Sequence, residues 1–182
     1  MNRWQGYQAL VFVLPLPFAG NVDWAWSLYC AACFVLLALE LNSRVSHMVN
    51  KQLTTPTLPA TLIKARPIIA LLLGAQAIAA CQLLLGTSLS SHNSYLYLIK
   101  GLALTLFIPL SFLMLESRQH INRIIWLIII AAAFQAIYGA IMVLTGLEWG
   151  FFIKKFAYLG KATGTFISRN HFAGYLEMCI AI

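Results

Sequence analysis

Charge is what this sequence has least of. Asp, Glu, Lys and Arg make up 9% of its 182 residues, where a soluble domain carries roughly 25%, so too few charges exist to cover a water-facing surface. Acid is scarcest, with five Asp and Glu against twelve Lys and Arg. Cysteine is sparse as well. Cys30 and Cys33 have the spacing of a redox or metal pair, but they, Cys81 and Cys179 all lie in apolar runs, where Cys packs as a small buried residue. His47, His92, His120 and His171 are far apart and share no ligand spacing. There is no HExxH, phosphate-binding P-loop, dinucleotide fingerprint or internal repeat, which leaves no motif for a metalloprotease, a nucleotide enzyme or a solenoid.

Apolar residues are what is present: 61% of the chain, with a mean hydropathy of +0.81. A bilayer crossing needs about 20 mostly apolar residues. The blocks run from Tyr7 to Ala19, short and interrupted by Pro15 and Pro17, then from Trp24 to Leu41, Ile68 to Leu85, Leu96 to Leu115 and Ile124 to Leu144. A sixth begins after Asn170 and stops at Ile182, about 18 Å along a helix. The expected fold is all-α: a polytopic transmembrane bundle of about five complete helices plus a truncated sixth, with residues 1–182 forming one transmembrane region. A carboxylate ending inside hydrocarbon is costly, so the sequence reads as the N-terminal part of a longer protein. The first block also reads as a secretory signal, with Arg3, a short apolar core and small Ala19 and Gly20.

Orientation follows Lys and Arg. The loop from Asn42 to Pro67 holds Arg44, Lys51, Lys64 and Arg66, and the turn from Glu116 to Arg123 holds Arg118 and Arg123. With Arg3, these mark the cytoplasmic side. The other side receives residues 21–23, 86–94 and 145–169. The net charge of +7 is scattered over short loops rather than gathered on one face, which argues against a nucleic-acid partner. Lys154, Lys155, Lys161 and Arg169 lie outside, against the rule, and imply an anionic ligand there or contacts with lipid phosphates.

The most informative segment starts at Gly160. Gly164 and its neighbours read as a flexible turn, Asn170 as an N-cap, and an apolar helix follows from His171. The free N–H groups of such a first turn favour an anion, Arg169 offers a guanidinium fork for two phosphate oxygens, and Ser168 and Thr165 could add hydroxyl donors. The implied ligand is a phosphate or diphosphate at the outer headgroup level.

The run Gly164-Thr165-Phe166-Ile167-Ser168-Arg169-Asn170-His171-Phe172-Ala173-Gly174-Tyr175-Leu176 resembles the opening signature of the O-antigen ligase/polymerase superfamily, GTF, a variable residue, then N-[RP]-N. Ser168 stands where Asn is usual. Outside residues 164–176 the likeness is one of hydropathy and helix order. The resemblance implies a glycosyltransferase of the bacterial inner membrane that uses no metal or other cofactor. Its donor would be an undecaprenyl-diphosphate-linked glycan, and its acceptor a lipid A-core sugar or, in polymerases and protein O-oligosaccharyltransferases, a growing polysaccharide or a protein hydroxyl. Arg169 would bind the diphosphate, with Lys161, Lys155 and Lys154 as weaker candidates. The resemblance places the general base in a large periplasmic loop outside these residues, so no catalytic residue is assigned, residues 1–182 alone are expected to be incomplete and inactive as a glycosyltransferase, and His171 is not promoted to that role. Two other classes remain open, a membrane transporter and a non-catalytic membrane subunit. A transporter needs ionisable residues deep in several helices; Lys100, Glu177 and Glu40 are the candidates, and Lys100 and Glu40 are near enough to helix ends to snorkel.

Overall fold

A computed structural model describes residues 2–13, 15–16, 23–51, 58–150 and 153–182. Within these the protein is all-α, with helices α1 (Arg3–Val13), α2 (Asp23–Asn50), α3 (Ala60–Leu84), α4 (Ser91–Met114), α5 (Arg118–Thr145) and α6 (Arg169–Ile180). A two-residue antiparallel ladder, β1 (Trp149–Gly150) with β2 (Ile153–Lys154), lies between α5 and α6. Four helices, Trp24–Asn50 within α2 together with α3, α4 and α5, are long and apolar enough to cross a membrane, the make-up of a multi-pass membrane protein whose surroundings are lipid.

The helices outrun the apolar blocks. The loop expected from residue 42 to 67 is largely helical, because α2 continues to Asn50 and α3 starts at Ala60. Extending an existing helix costs far less than nucleating one, so polar residues such as Arg44 and Lys64 simply ride on the ends of the spans. Pro67 sits inside α3, where it forfeits one backbone hydrogen bond that a membrane helix tolerates. The first block behaves differently. Its helix covers 11 residues, about 16 Å at 1.5 Å per residue, and a turn follows at Pro15 and Leu16, where proline has no N–H to continue the helix ladder. The small residues of the signal-like reading, Ala19 and Gly20, together with Pro17 and Asn21, lie outside the described residues.

The chain forms two compact units: residues 1–3 with 28–116, and residues 4–27 with 117–182. In the first, α3 packs on α4. Gly101 leaves room there for the Gln76 carboxamide, which a β-carbon at that position would displace. The polar end of this unit is an alternating ion chain. Glu40 accepts from Arg3 and from Arg44 at 2.7 Å each, and Arg44 reaches Glu116 at 2.7 Å and the Leu113 carbonyl at 3.1 Å. Glu40 is buried, which corrects the expectation that it snorkels: two guanidiniums supply inside the protein what water would supply outside. Cys30 and Cys33 are buried free thiols on α2.

In the second unit the Trp4 ring of α1 stacks on His120 near the start of α5, with centroids 4.0 Å apart. Ser117 caps α5 by accepting from the His120 N–H at 3.1 Å, and Gly146 ends it in the left-handed conformation at φ 68°. α6 then packs on α5. The core of the unit is where the chain returns from the ladder: Ala131, Gln135, Met142, Thr163, Thr165, Phe166 and Phe172 are all buried.

Candidate functional site: the signature turn and the start of the sixth helix

The site is built on α5. Its apolar stretch, residues 124–144, is about 31 Å long at 1.5 Å per residue, and it holds one side-chain amide, Gln135, fully buried. Gln135 lies about 16 Å from one end of that stretch and about 14 Å from the other, near its middle. Its Oε1 accepts from the Thr165 N–H at 2.9 Å, and its Nε2 donates to Thr165 Oγ1 at 2.6 Å. The Thr165 hydroxyl in turn donates to the Pro15 carbonyl at 2.8 Å. One carboxamide thus partners the N–H and the hydroxyl of a residue in non-helical backbone, and partners inside the protein are what such backbone needs at membrane depth.

These bonds revise the reading of residues 145–169 as a loop lying wholly outside. The chain leaves α5, forms the ladder, and comes back to the level of Gln135 at residues 163–166. The turn is tightly packed. Gly164 has φ 55°, and a β-carbon on it would lie 2.5 Å from Gln135 Oε1 and 2.7 Å from Phe172 Cε2, so only glycine fits both the conformation and the space. Phe166 donates its N–H to the Thr163 carbonyl at 2.9 Å, closing the turn, and its ring meets Phe172 at 6.2 Å and Tyr175 at 5.2 Å between centroids. Thr165 is therefore no donor for a ligand, because its hydrogen is committed to Pro15.

The helix start also differs from expectation by two residues. Ser168, not Asn170, is the N-cap of α6, and its Oγ accepts from the Asn170 N–H at 3.3 Å. Ser prefers this place for the same reason as Asn, a short side chain whose oxygen reaches back to an orphan N–H. Arg169 becomes the first residue of the helix. Arg169, Asn170 and His171 are exposed, and the N–H groups of Arg169 and His171 fall in the first turn, where no intrahelical acceptor exists.

The four cations expected to hold an anion separate into two kinds. Lys155 is buried. Its Nζ donates to the Lys161 carbonyl at 2.9 Å and lies 3.3 Å from Glu148 Oε2, so its charge is spent within the loop. Glu148 Oε1 accepts the Gly160 N–H at 2.6 Å. That hydrogen bond, with Lys155 beside it, holds the Glu148 carboxyl below the usual carboxylate range. Lys154, Lys161 and Arg169 are exposed. Four cations against the single acid Glu148 give residues 145–169 an excess of three positive charges.

Two residues of the site escape a reading of the sequence. Gln135 had a signal, one amide in the middle of an apolar helix, whereas the Pro15 carbonyl had none. The chain matches no protein-family model, no curated protein and no solved structure.

Proposed function

We propose that the protein transfers a glycan from undecaprenyl diphosphate to a lipid A-core or polysaccharide acceptor at the periplasmic face of the bacterial inner membrane, as an O-antigen ligase does. The observation that supports this reading is the placement of Arg169. The segment that resembles the superfamily signature is a locked, buried turn that delivers one exposed guanidinium at the first residue of a helix. A diphosphate leaving group gains negative charge as the bond from its oxygen to the anomeric carbon breaks. Two N–H donors of Arg169 and the positive end of α6 are suited to receive that charge, and donors fixed before the reaction stabilise a transition state without reorganising. Exposed Lys154 and Lys161 add long-range attraction for the same anion, and Lys155 shapes the loop that carries them.

The test is transfer from a lipid-linked glycan, in membrane vesicles, by a protein that carries residues 1–182 together with the loop to which the resemblance assigns the general base. Arg169→Ala is expected to lower the rate by roughly 10²–10³, the usual effect of losing one preorganised donor, while membrane insertion is unchanged because the side chain is exposed. Arg169→Lys restores part of the rate, since Lys keeps the charge and loses the fork. Transfer by Arg169→Ala at the parent rate would refute the assignment.

A further inference from the structure

We infer that Gln135 is a positioning residue: it anchors residues 163–166 at mid-bilayer depth and thereby sets where Arg169 sits. The inference deepens the proposed transfer reaction and rests on it in its activity arm alone. Only three residues separate Thr165 from Arg169. In between, the 163–166 turn is closed by its own hydrogen bond and Phe166 is wedged against Phe172 and Tyr175 of α6, so slack between the anchor and the helix start is small. The anchor itself has no substitute. The Thr165 N–H and hydroxyl are buried with Gln135 and the Pro15 carbonyl as their partners, and hydrocarbon offers no replacement for a lost partner. The groups that hydrogen-bond to the carboxamide are the Thr165 N–H, the Thr165 hydroxyl and the Pro15 carbonyl, none of which titrates. A carboxyl placed there would be driven toward its neutral form by desolvation.

Thr163 is the reporter. It is fully buried and its Oγ1 has no hydrogen-bond partner among the described residues, so Thr163→Cys removes none. In a chain with Cys30, Cys33, Cys81 and Cys179 replaced, reconstituted in vesicles, a water-soluble maleimide should leave Thr163→Cys unlabelled. Adding Gln135→Leu should raise its labelling at least tenfold, relative to Ser91→Cys at the same pH. Gln135→Glu should hold the turn closed wherever its carboxyl is neutral, as an isosteric donor and acceptor, and release it as the carboxyl ionises. Equal labelling of the parent and the Gln135→Leu chain overturns the anchor. So does a Gln135→Glu chain labelled as fast as Gln135→Leu at every pH from 5 to 9. In the activity arm, Gln135→Leu should lower kcat/KM for the lipid-linked donor tenfold or more, yet add almost nothing in an Arg169→Ala background, because residues acting through one another are not additive. Independent, additive losses would overturn the positioning role. A parent protein that carries the base-bearing loop and shows no transfer would refute the proposed reaction and leave the labelling result to judge the anchor.

Discussion

Removing the Glu40 carboxylate is the most severe single perturbation of the first unit's polar end. Its side chain is 10% exposed and accepts from two arginines at 2.7 Å, while the partner side chains are 38% (Arg3) and 20% (Arg44) exposed. Stripping one partner from a buried pair costs about 3–5 kcal/mol, and an exposed pair is worth about 0–1 kcal/mol. Arg44 retains Glu116 and the Leu113 carbonyl and is not stranded. Glu40→Ala should therefore fall between those limits, at about 2–3 kcal/mol. Arg3→Ala removes only the more exposed arm, and Glu116→Ala a carboxylate that is 46% exposed, so each should cost below about 1 kcal/mol. Reversible unfolding in mixed detergent micelles measures all three. A double-mutant cycle on Glu40 and Arg44 should return a coupling of at least about 0.5 kcal/mol, as expected for charges in contact. If Arg3→Ala proved as costly as Glu40→Ala, or Glu40→Ala left stability within about 0.5 kcal/mol of the parent, the buried carboxylate would not be the hub of this network.

Two further outcomes follow from the second unit. Gly164→Ala combines a left-handed backbone, at about 1–2 kcal/mol, with overpacking against Gln135 and Phe172, at about 1–3 kcal/mol. Gly146→Ala has φ 68° but open space around its β-carbon, so unfolding in micelles should show it losing only the backbone share; equal losses would mean that the 163–166 turn has room to give. The Glu148 carboxyl is held below its ordinary range by the Gly160 N–H and Lys155. A depressed folded-state value means that its contribution is present above the ordinary carboxylate range and is lost as pH falls through the lowered one. Protease cleavage of the 148–161 loop should therefore be constant from neutral pH down to that range and rise below it, and Glu148→Gln should remove the pH dependence. A loop equally resistant to cleavage at all pH values in the parent would dismiss the Glu148 clasp.

The sequence by itself determined where the spans run, because hydrophobic length is a local property and α2 to α5 each carry enough of it. It also marked the segment at residues 164–176 and the four cations near it, since composition and short spacing are local too. The helix ends were less legible. Hydropathy reports the stretch that lipid favours, and the backbone carries a helix past that boundary into Arg44 or Lys64 at little cost. Only the tertiary structure decided which cation faces outward. Lys154 and Lys155 are neighbours of the same type, yet one is exposed and the other buried, and the burial of Lys155 depends on Glu148 and the Lys161 carbonyl arriving beside it. The same holds for Thr165, a hydroxyl that reads as a ligand donor until Gln135, 30 residues away, and Pro15, 150 residues away, take up its hydrogen bonds. Contacts at such separations leave no periodicity in the sequence, because they are fixed by how the helices pack rather than by the residues next to them in the chain.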